Sequence, residues 1–326
     1  MRAIVMDRFG DESVMHVREV DAPPLGAHDL RIGVVATAVN RADLLQRQGH
    51  YPPPPGASTI LGLECAGRVL EVGPDVAGWS VGDRVMALLP GGGYAEEVVV
   101  DAGSAMHVPD VLSGEEAGAL PEVFLTAFLN LFLLARVQEG ESALVHGGGS
   151  GVGTAATTLL KLAGVRVLVT AGSPERCARC IAHGADVAID YKRDDFVARV
   201  QEATGGRGVN VVLDHIGGRY LPRDLQALAL GGRVVIIGSM GGQSTAEIDV
   251  GALLSKRQQI IGSTLRARPA DEKARIVAAF IERFSADLAA GRVRPVIDRV
   301  YPLEEAPEAH RRMKSGENFG KIVLRM

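Results

Sequence analysis

Residues Gly147 to Gly153 read Gly-Gly-Gly-Ser-Gly-Val-Gly, and their types and spacing suit one kind of chemistry. They follow an apolar strand candidate, Ala143–His146, and run into a helical stretch from Thr154 to Lys161. A glycine-rich turn between a strand and a helix leaves bare backbone N–H groups at a helix N-terminus, where a pyrophosphate can sit. Ser150 stands where the second Gly of the G-x-G-x-x-G spacing belongs. Either its hydroxyl reaches a phosphate or a nicotinamide, or it is small enough to let the backbone approach. The turn predicts a dinucleotide and redox chemistry, with Ser150, Gly151, Val152 and Gly153 at the pyrophosphate.

The end of the second strand of such a unit distinguishes the two nicotinamide dinucleotides. A reader of the ribose 2′-hydroxyl is normally an Asp or Glu there. Here Val167–Thr170 is followed by Ala171, Gly172 and Ser173, with no acid at the tip. A carboxylate would repel a 2′-phosphate, so its absence permits NADP. Arg176, six residues past Thr170, is placed to pair with that phosphate, and Tyr191 after the third strand adds a hydrogen-bonding group. The plainer reading of Arg176 is a solvated helix charge beside Glu175.

The elements that must position these residues follow from the rhythm of the chain. From Met1 to about Leu120, short alternating runs such as Leu30–Ala36, Gly67–Val72 and Tyr94–Val100 are broken by Gly and Pro, which suits a barrel-like β module. From about Pro121 to Gly262, six strand candidates alternate with helical stretches: Ala143–His146, Arg166–Thr170, Val187–Asp190, Val209–Asp214, Arg233–Ile237 and Gln259–Ile261. That alternation predicts an α/β fold with a parallel, doubly wound sheet. A long helix near 271–290, a strand near 296–300, a helix near 303–313 and a last strand, Lys321–Arg325, then return the chain to its first module. The expected domains are 1–121 with 264–326, and 122–263.

Composition narrows the class. The 326 residues are 47% hydrophobic and 23% charged, so the chain can bury large cores and is not disordered. A formal charge of -4 with no basic block speaks against nucleic-acid binding through phosphates. The longest apolar run, around Val123 to Val137, carries Thr126, Asn130 and Arg136 and is too short and polar to span a membrane. A soluble, cytoplasmic protein is expected. Cys65, Cys177 and Cys180 are an odd set for a disulfide framework, and Cys177 and Cys180 read as two helix cysteines one turn apart.

Further motifs occur in order along nearly the whole chain: Asn40–Leu44, Gly49–Gly56 with its four prolines, Leu61–Gly67, Gly82–Val85, Leu125–Ala127 and Gly147–Gly153. Together they resemble the zinc-free quinone oxidoreductases of the medium-chain dehydrogenase/reductase superfamily. Leu88–Gly93 and Ser150 are most similar to the tumour-suppressor-inducible branch. The resemblance implies a GroES-like β-rich catalytic domain, a Rossmann domain and NADPH. It implies that Asn40 and Thr126 flank the nicotinamide and that Tyr51 lines the quinone and nicotinamide pocket. Gly172, Ser173, Arg176 and Tyr191 would hold the adenosine end, with Arg176 where the family commonly has Lys. Gly238, Ser239 and Met240 would pass beside the cofactor, and Asn318 and Lys321 would complete the site from the C-terminal segment. A homodimer through the Rossmann edge strands near Gln259–Ile261 is also implied.

The zinc enzymes of the superfamily carry a Cys near position 40 and a His before the Glu of a Gly-His-Glu motif. Here Asn40–Asp43 hold no Cys and Leu63 precedes Glu64, so no metal is expected. His146 is expected to be a local hydrogen bonder. A quinone is already electrophilic, so hydride transfer needs mainly proximity and orientation. Tyr51 is read as positioning the substrate, with proton donation secondary, since solvent can protonate a hydroquinone anion. The rivals are an NADPH-dependent reductase of activated C=C bonds and a non-catalytic NADPH-binding structural or RNA-binding protein.

Overall fold

The computed structural model describes residues 1–326. Strands and helices alternate in chain order as β1 (Arg2–Met6), β2 (Met15–Glu19), β3 (Asp29–Val39), α1 (Arg41–Arg47), β4 (Glu64–Val72), β5 (Arg84–Leu88), β6 (Glu97–Asp101), β7 (Ala105–His107), α2 (Gly114–Ala117) and α3 (Pro121–Phe128). The chain continues through β8 (Ser142–Val145), α4 (Gly151–Leu162), β9 (Arg166–Ala171), α5 (Pro174–Ala182), β10 (Val187–Asp190), α6 (Phe196–Ala203), β11 (Val209–Asp214), α7 (Leu221–Ala227), β12 (Leu228–Ile236), α8 (Val250–Ser255) and β13 (Gln259–Gly262). It ends with α9 (Ala270–Ala289), β14 (Ile297–Pro302), α10 (Ala306–Ser315) and β15 (Lys321–Arg325). Two compact units result: Met1–Leu125 with Leu265–Met326, and Thr126–Thr264.

The first unit is built on β3, an 11-residue strand with β4 and β6 as antiparallel partners. Its other partner comes from the far end of the chain: β15 runs antiparallel to it, Ile322 opposite Val39 and Arg325 opposite Ala36. The sheet order is β14-β15-β3-β4-β5-β7, with β6 on β3. Alternation in β3 buries Leu30, Ile32 and Val34 against Cys65, Val69, Val85 and Val98, which forms the core on one face. At 25 cal/mol per Å², each such side chain contributes about 1.5–3 kcal/mol. The helix α1 interrupts what reads as an all-β stretch. Its start is a capping arrangement in which the Asn40 N–H donates to the Asp43 carboxylate at 2.7 Å, satisfying a donor that the helix leaves orphaned.

The second unit holds a six-stranded parallel sheet in the order β10-β9-β8-β11-β12-β13. Val211, Val212 and Leu213 are all buried, as a parallel strand covered on both faces requires. The first strand spans Ser142–Val145, so His146 stands one residue beyond it, and β12 begins at Leu228, earlier than its apolar run suggests. The apolar stretch after Pro121 is the helix α3 followed by a π-helical turn, Leu129–Leu134, most of it buried. No helix is long and apolar enough to cross a membrane.

The glycine turn before α4 is a close approach of backbone to backbone. A Cβ on Gly153 would lie 2.3 Å from the Gly147 carbonyl oxygen and 2.8 Å from Gly148. The neighbours are main chain and cannot rotate away. Gly153→Ala is therefore expected to destabilise the protein by about 1–3 kcal/mol, measured as a lowered denaturation midpoint.

Candidate cofactor and substrate site

In the parallel-sheet unit, the residues expected to hold a dinucleotide gather at the C-terminal ends of the strands, where ligands of open α/β sheets bind. The first N–H groups of α4 have no partner inside the helix, and Gly151 and Val152 there are half-buried. The turn leading to them carries no side chain larger than Ser150, so its backbone suits a pyrophosphate. Ser150 has a structural role that neither sequence reading names. Its hydroxyl oxygen accepts the Gly153 N–H at 3.0 Å, so the residue that breaks the glycine spacing is the N-cap of α4.

The turn is braced from below by a buried chain of hydrogen bonds. The imidazole of His146 lies 3.1 Å from the Thr170 hydroxyl through Nδ1 and 2.8 Å from Asp224 Oδ1 through Nε2. Thr170 Oγ1 in turn accepts the Gly147 N–H at 3.2 Å. His146 is thus a hydrogen bonder, as expected, and its network fixes where the turn begins. Asp214 also brings a ligand atom within 4.8 Å of those of His146 and Asp224. Its oxygens accept the N–H groups of Ile216 and Gly217 at 2.6 and 2.8 Å. Burial, then the neighbouring Asp224, push the Asp214 carboxyl up to about 6. These bonds occupy both ring nitrogens of His146 and both oxygens of Asp214, so the group reads as a brace.

At the tip of β9, Ser173 caps α5 by accepting the Arg176 N–H at 3.3 Å. Tyr191 packs against Gly172, its hydroxyl 3.0 Å from where a Cβ on that glycine would stand, and its N–H donates to the Ala171 carbonyl. Gly172, Ser173, Arg176 and Tyr191 are therefore brought together. Glu175 shares this turn, its carboxylate held below the ordinary value by a backbone hydrogen bond, by Ser173 and by the charge of Arg193. Beyond β12, Gly238 and Ser239 pass beside Gly217, and the Met240 N–H donates to the His215 carbonyl. Thr126, on α3, is half-buried, and its carbonyl accepts from Asn130 at 2.7 Å.

In the other unit, Asn40 belongs to a closed, buried knot. Its Nδ2 donates to Glu64 Oε1 at 2.9 Å, and its Oδ1 accepts from Lys321 Nζ at 2.6 Å. Lys321 also pairs with Glu64 at 2.7 Å and donates to the Val39 carbonyl at 3.2 Å. The ammonium has three N–H groups, and three acceptors take them. Lys321 thus departs from its expected role at the cofactor. It is a structural cation, and no donor remains for a dinucleotide. Asn318 is buried as well, its amide donating to the Gly320 carbonyl where the chain turns into β15.

Around this knot stand acids that sequence reasoning misses. Asp43 accepts the N–H groups of Asn40 and Gly62, yet its burial pushes the carboxyl up to about 6. Glu122 opens α3 with its N–H donating to Glu64 Oε2 at 2.9 Å. Burial, then the charge of Glu64, push its carboxyl up to about 8. Tyr51 is half-buried, with the Arg266 guanidinium 5.4 Å over its ring. Burial raises the phenol, so it carries its proton at neutral pH. The three-residue spacing of Asn40 and Asp43 is a readable capping signal. Glu122 looks like any acid in a first helical turn, and Arg266 is one of two arginines in a short loop, so neither carries a signal.

Comparison with known proteins identifies the family and the fold. The alcohol dehydrogenase GroES-like domain pattern matches residues 26–110, and the zinc-binding dehydrogenase pattern matches residues 183–324. The quinone oxidoreductase of Rattus norvegicus is 32% identical over 327 residues, covering 99% of this chain and 97% of the relative. The chain belongs to the quinone oxidoreductase family of medium-chain dehydrogenases/reductases. Its fold is accordingly a GroES-like unit with a Rossmann unit. Among solved structures, an NAD-dependent alcohol dehydrogenase is 33% identical with a TM-score of 0.87, each chain covered in full. The Escherichia coli quinone oxidoreductase complexed with NADPH is 27% identical with a TM-score of 0.86, again over the full length of both. Although one matching pattern is described as zinc-binding, Asn40 and Leu63 occupy the two positions where the zinc enzymes place Cys and His.

The knot in this family member makes a measurable demand. Lys321→Met removes the only cation that Glu64 pairs with in the interior, and is expected to cost about 3–5 kcal/mol. Adding Glu64→Gln to it should recover most of that loss in chemical denaturation.

Proposed function

We propose that the protein is an NADPH-dependent quinone oxidoreductase that moves a hydride onto a quinone without catalytic zinc or flavin. One observation carries the cofactor choice. The strand β9 ends on Ala171 with no acid, and Ser173, Arg176 and Tyr191 gather at that end. The full-length likeness to quinone oxidoreductases supports the acceptor. Bound NADPH would supply the hydride. The backbone of Gly151–Gly153 would hold the pyrophosphate and Arg176 the 2′-phosphate, with Thr126 and Met240 toward the nicotinamide.

The chain's own residues then have modest work. A quinone needs orientation more than activation. Tyr51, stiffened by the four prolines that follow it and capped by Arg266, positions the acceptor. Asn40 is held rigid by Glu64 and Lys321, which preorganises its side chain. This reading places the protein in the cytoplasm.

The deciding experiment is oxidation of NADPH and of NADH with a panel of quinones and conjugated enones. NADPH oxidation with quinones is expected. Preference for enones would give the reaction to the C=C reductases, and tight NADPH binding without turnover would leave a structural role. Arg176→Ala should raise the KM for NADPH about 10–100-fold, the worth of one or two charge-assisted hydrogen bonds, and leave that for NADH within about twofold.

The edge strand β13 pairs only with β12, and Ile260 on it is partly exposed. An unpaired edge invites a second copy, so a homodimer is proposed through it. Sedimentation at micromolar concentration should give the dimer mass, and Ile261→Pro, which blocks strand pairing, should shift it to the monomer.

A further inference from the structure

Two hydrogen-bonding atoms near Tyr51 are buried and lack a partner. Arg266 is clamped on two sides: Nε donates to the Pro90 carbonyl at 2.8 Å, and Nη2 to Gln46 Oε1 at 2.6 Å. Gln46 is itself fixed, its amide nitrogen donating to the Thr59 carbonyl at 2.8 Å. The third nitrogen, Nη1, is buried with no partner. Glu122, in the same unit, has its N–H on Glu64 and its Oε2 buried with no partner. Arg266 and Glu122 sense each other's charge, and both sense Tyr51.

Leaving a buried donor unmade costs about 1–3 kcal/mol, more when it is charged, so two such groups beside one aromatic ring call for an occupant. The charges that face Glu122 are Glu64, Asp43, Lys321, Lys273 and Arg266, with the Tyr51 phenol beside them. Burial outweighs the cations, and the acid keeps its proton at neutral pH. The site therefore offers N–H from Arg266 and O–H from Glu122, with no free acceptor required. Two donors that both act on Tyr51 suit an acceptor oxygen that gains negative charge.

We propose that Arg266 Nη1 and the Glu122 carboxyl, flanked by Tyr51, form the subsite for the carbonyl oxygen of the acceptor. The proposal rests on the reading above that the chain reduces a conjugated carbonyl compound with hydride from a nicotinamide. Hydride addition brings two electrons and one hydrogen to the acceptor and leaves an anion with its charge on that oxygen. The Glu122 O–H bond breaks, its proton forms the new O–H bond on the reduced acceptor, and the carboxylate left behind pairs with Arg266 until water returns a proton. A preorganised donor pair in a dry site acts at the moment charge develops, and a neutral carboxylic acid serves as such a donor.

The test uses the whole protein without cofactor and 4-nitrophenolate as the probe of an anionic oxygen, with binding followed by its visible absorbance. The native protein should bind it at pH 7, and affinity should fall as pH rises past about 8, where Glu122 ionises. Arg266→Met should weaken binding about 10–100-fold. Glu122→Gln keeps a donor and the same shape, so binding at pH 7 should hold within about threefold while the fall above pH 8 disappears. In difference infrared spectra, the carbonyl stretch of a protonated carboxyl should shift on adding the probe and be missing in Glu122→Gln, a readout that needs no turnover. Binding that is unchanged in Arg266→Met, or a pH profile unchanged in Glu122→Gln, overturns the subsite even in an active quinone reductase. Binding that follows the pattern in a protein that reduces no quinone or enone leaves the subsite standing and overturns the reaction.

Discussion

The ion pair between Lys321 and Glu64, closed by Asn40, is the interaction on which the first unit depends. It joins the first residue of the last strand to the first residue of β4 and to the residue that follows β3. All three side chains are buried. Two charges removed from water must be matched closely to be tolerated, and here every ammonium hydrogen has an acceptor. The match forces β15 into register on β3, and that register shapes the sheet around Asn40. A weak hydrophobic seam could slip by two residues; a buried lysine that must find one glutamate cannot.

The parallel-sheet unit solves its positioning problem with different physics. Its glycine turn is set by backbone contact and by a hydrogen-bond chain from Asp224 through His146 and Thr170 to Gly147. Here a carboxylate, an imidazole and a hydroxyl fix a stretch of main chain. The glycine turn proposed for the phosphates is thus backbone and half-exposed, whereas the unit with the proposed acceptor subsite carries buried titratable groups. That division suits the chemistry proposed: a permanently charged phosphate needs fixed dipoles, and an oxygen that changes charge needs groups that can change protonation.

Legibility in the sequence follows the same divide. The alternation of strands and helices, the buried runs in β11 and β12 and the missing acid after β9 can be read directly, because each is a local pattern with a local cause. The helix α1 hides among strands, though its Asn40–Asp43 cap is readable. Ser150 reads toward a ligand because a helix cap and a phosphate contact use the same residue type at the same place. Lys321 reads as a cofactor residue only through the family resemblance, since nothing in Lys321–Arg325 reveals that its partner lies more than two hundred residues away. Glu122 and Arg266 are silent for the same reason: burial decides their chemistry, and burial there is a tertiary fact.

The antiparallel pairing of β15 with β3 also sets an order of events during synthesis. Thr126–Thr264 contains every strand of its own sheet and can close while the chain is still growing. The earlier segment is completed later, because the Ala36–Val39 end of its central strand waits for β15 and Glu64 lacks its cation until residues 321–325 emerge. Domains usually fold from the N-terminus as they leave the ribosome; the pairing of β15 with β3 favours the reverse order here. Until residues 321–325 emerge, a nascent polypeptide carries an open Ala36–Val39 edge and a half-built ion pair, and that is its most aggregation-prone form.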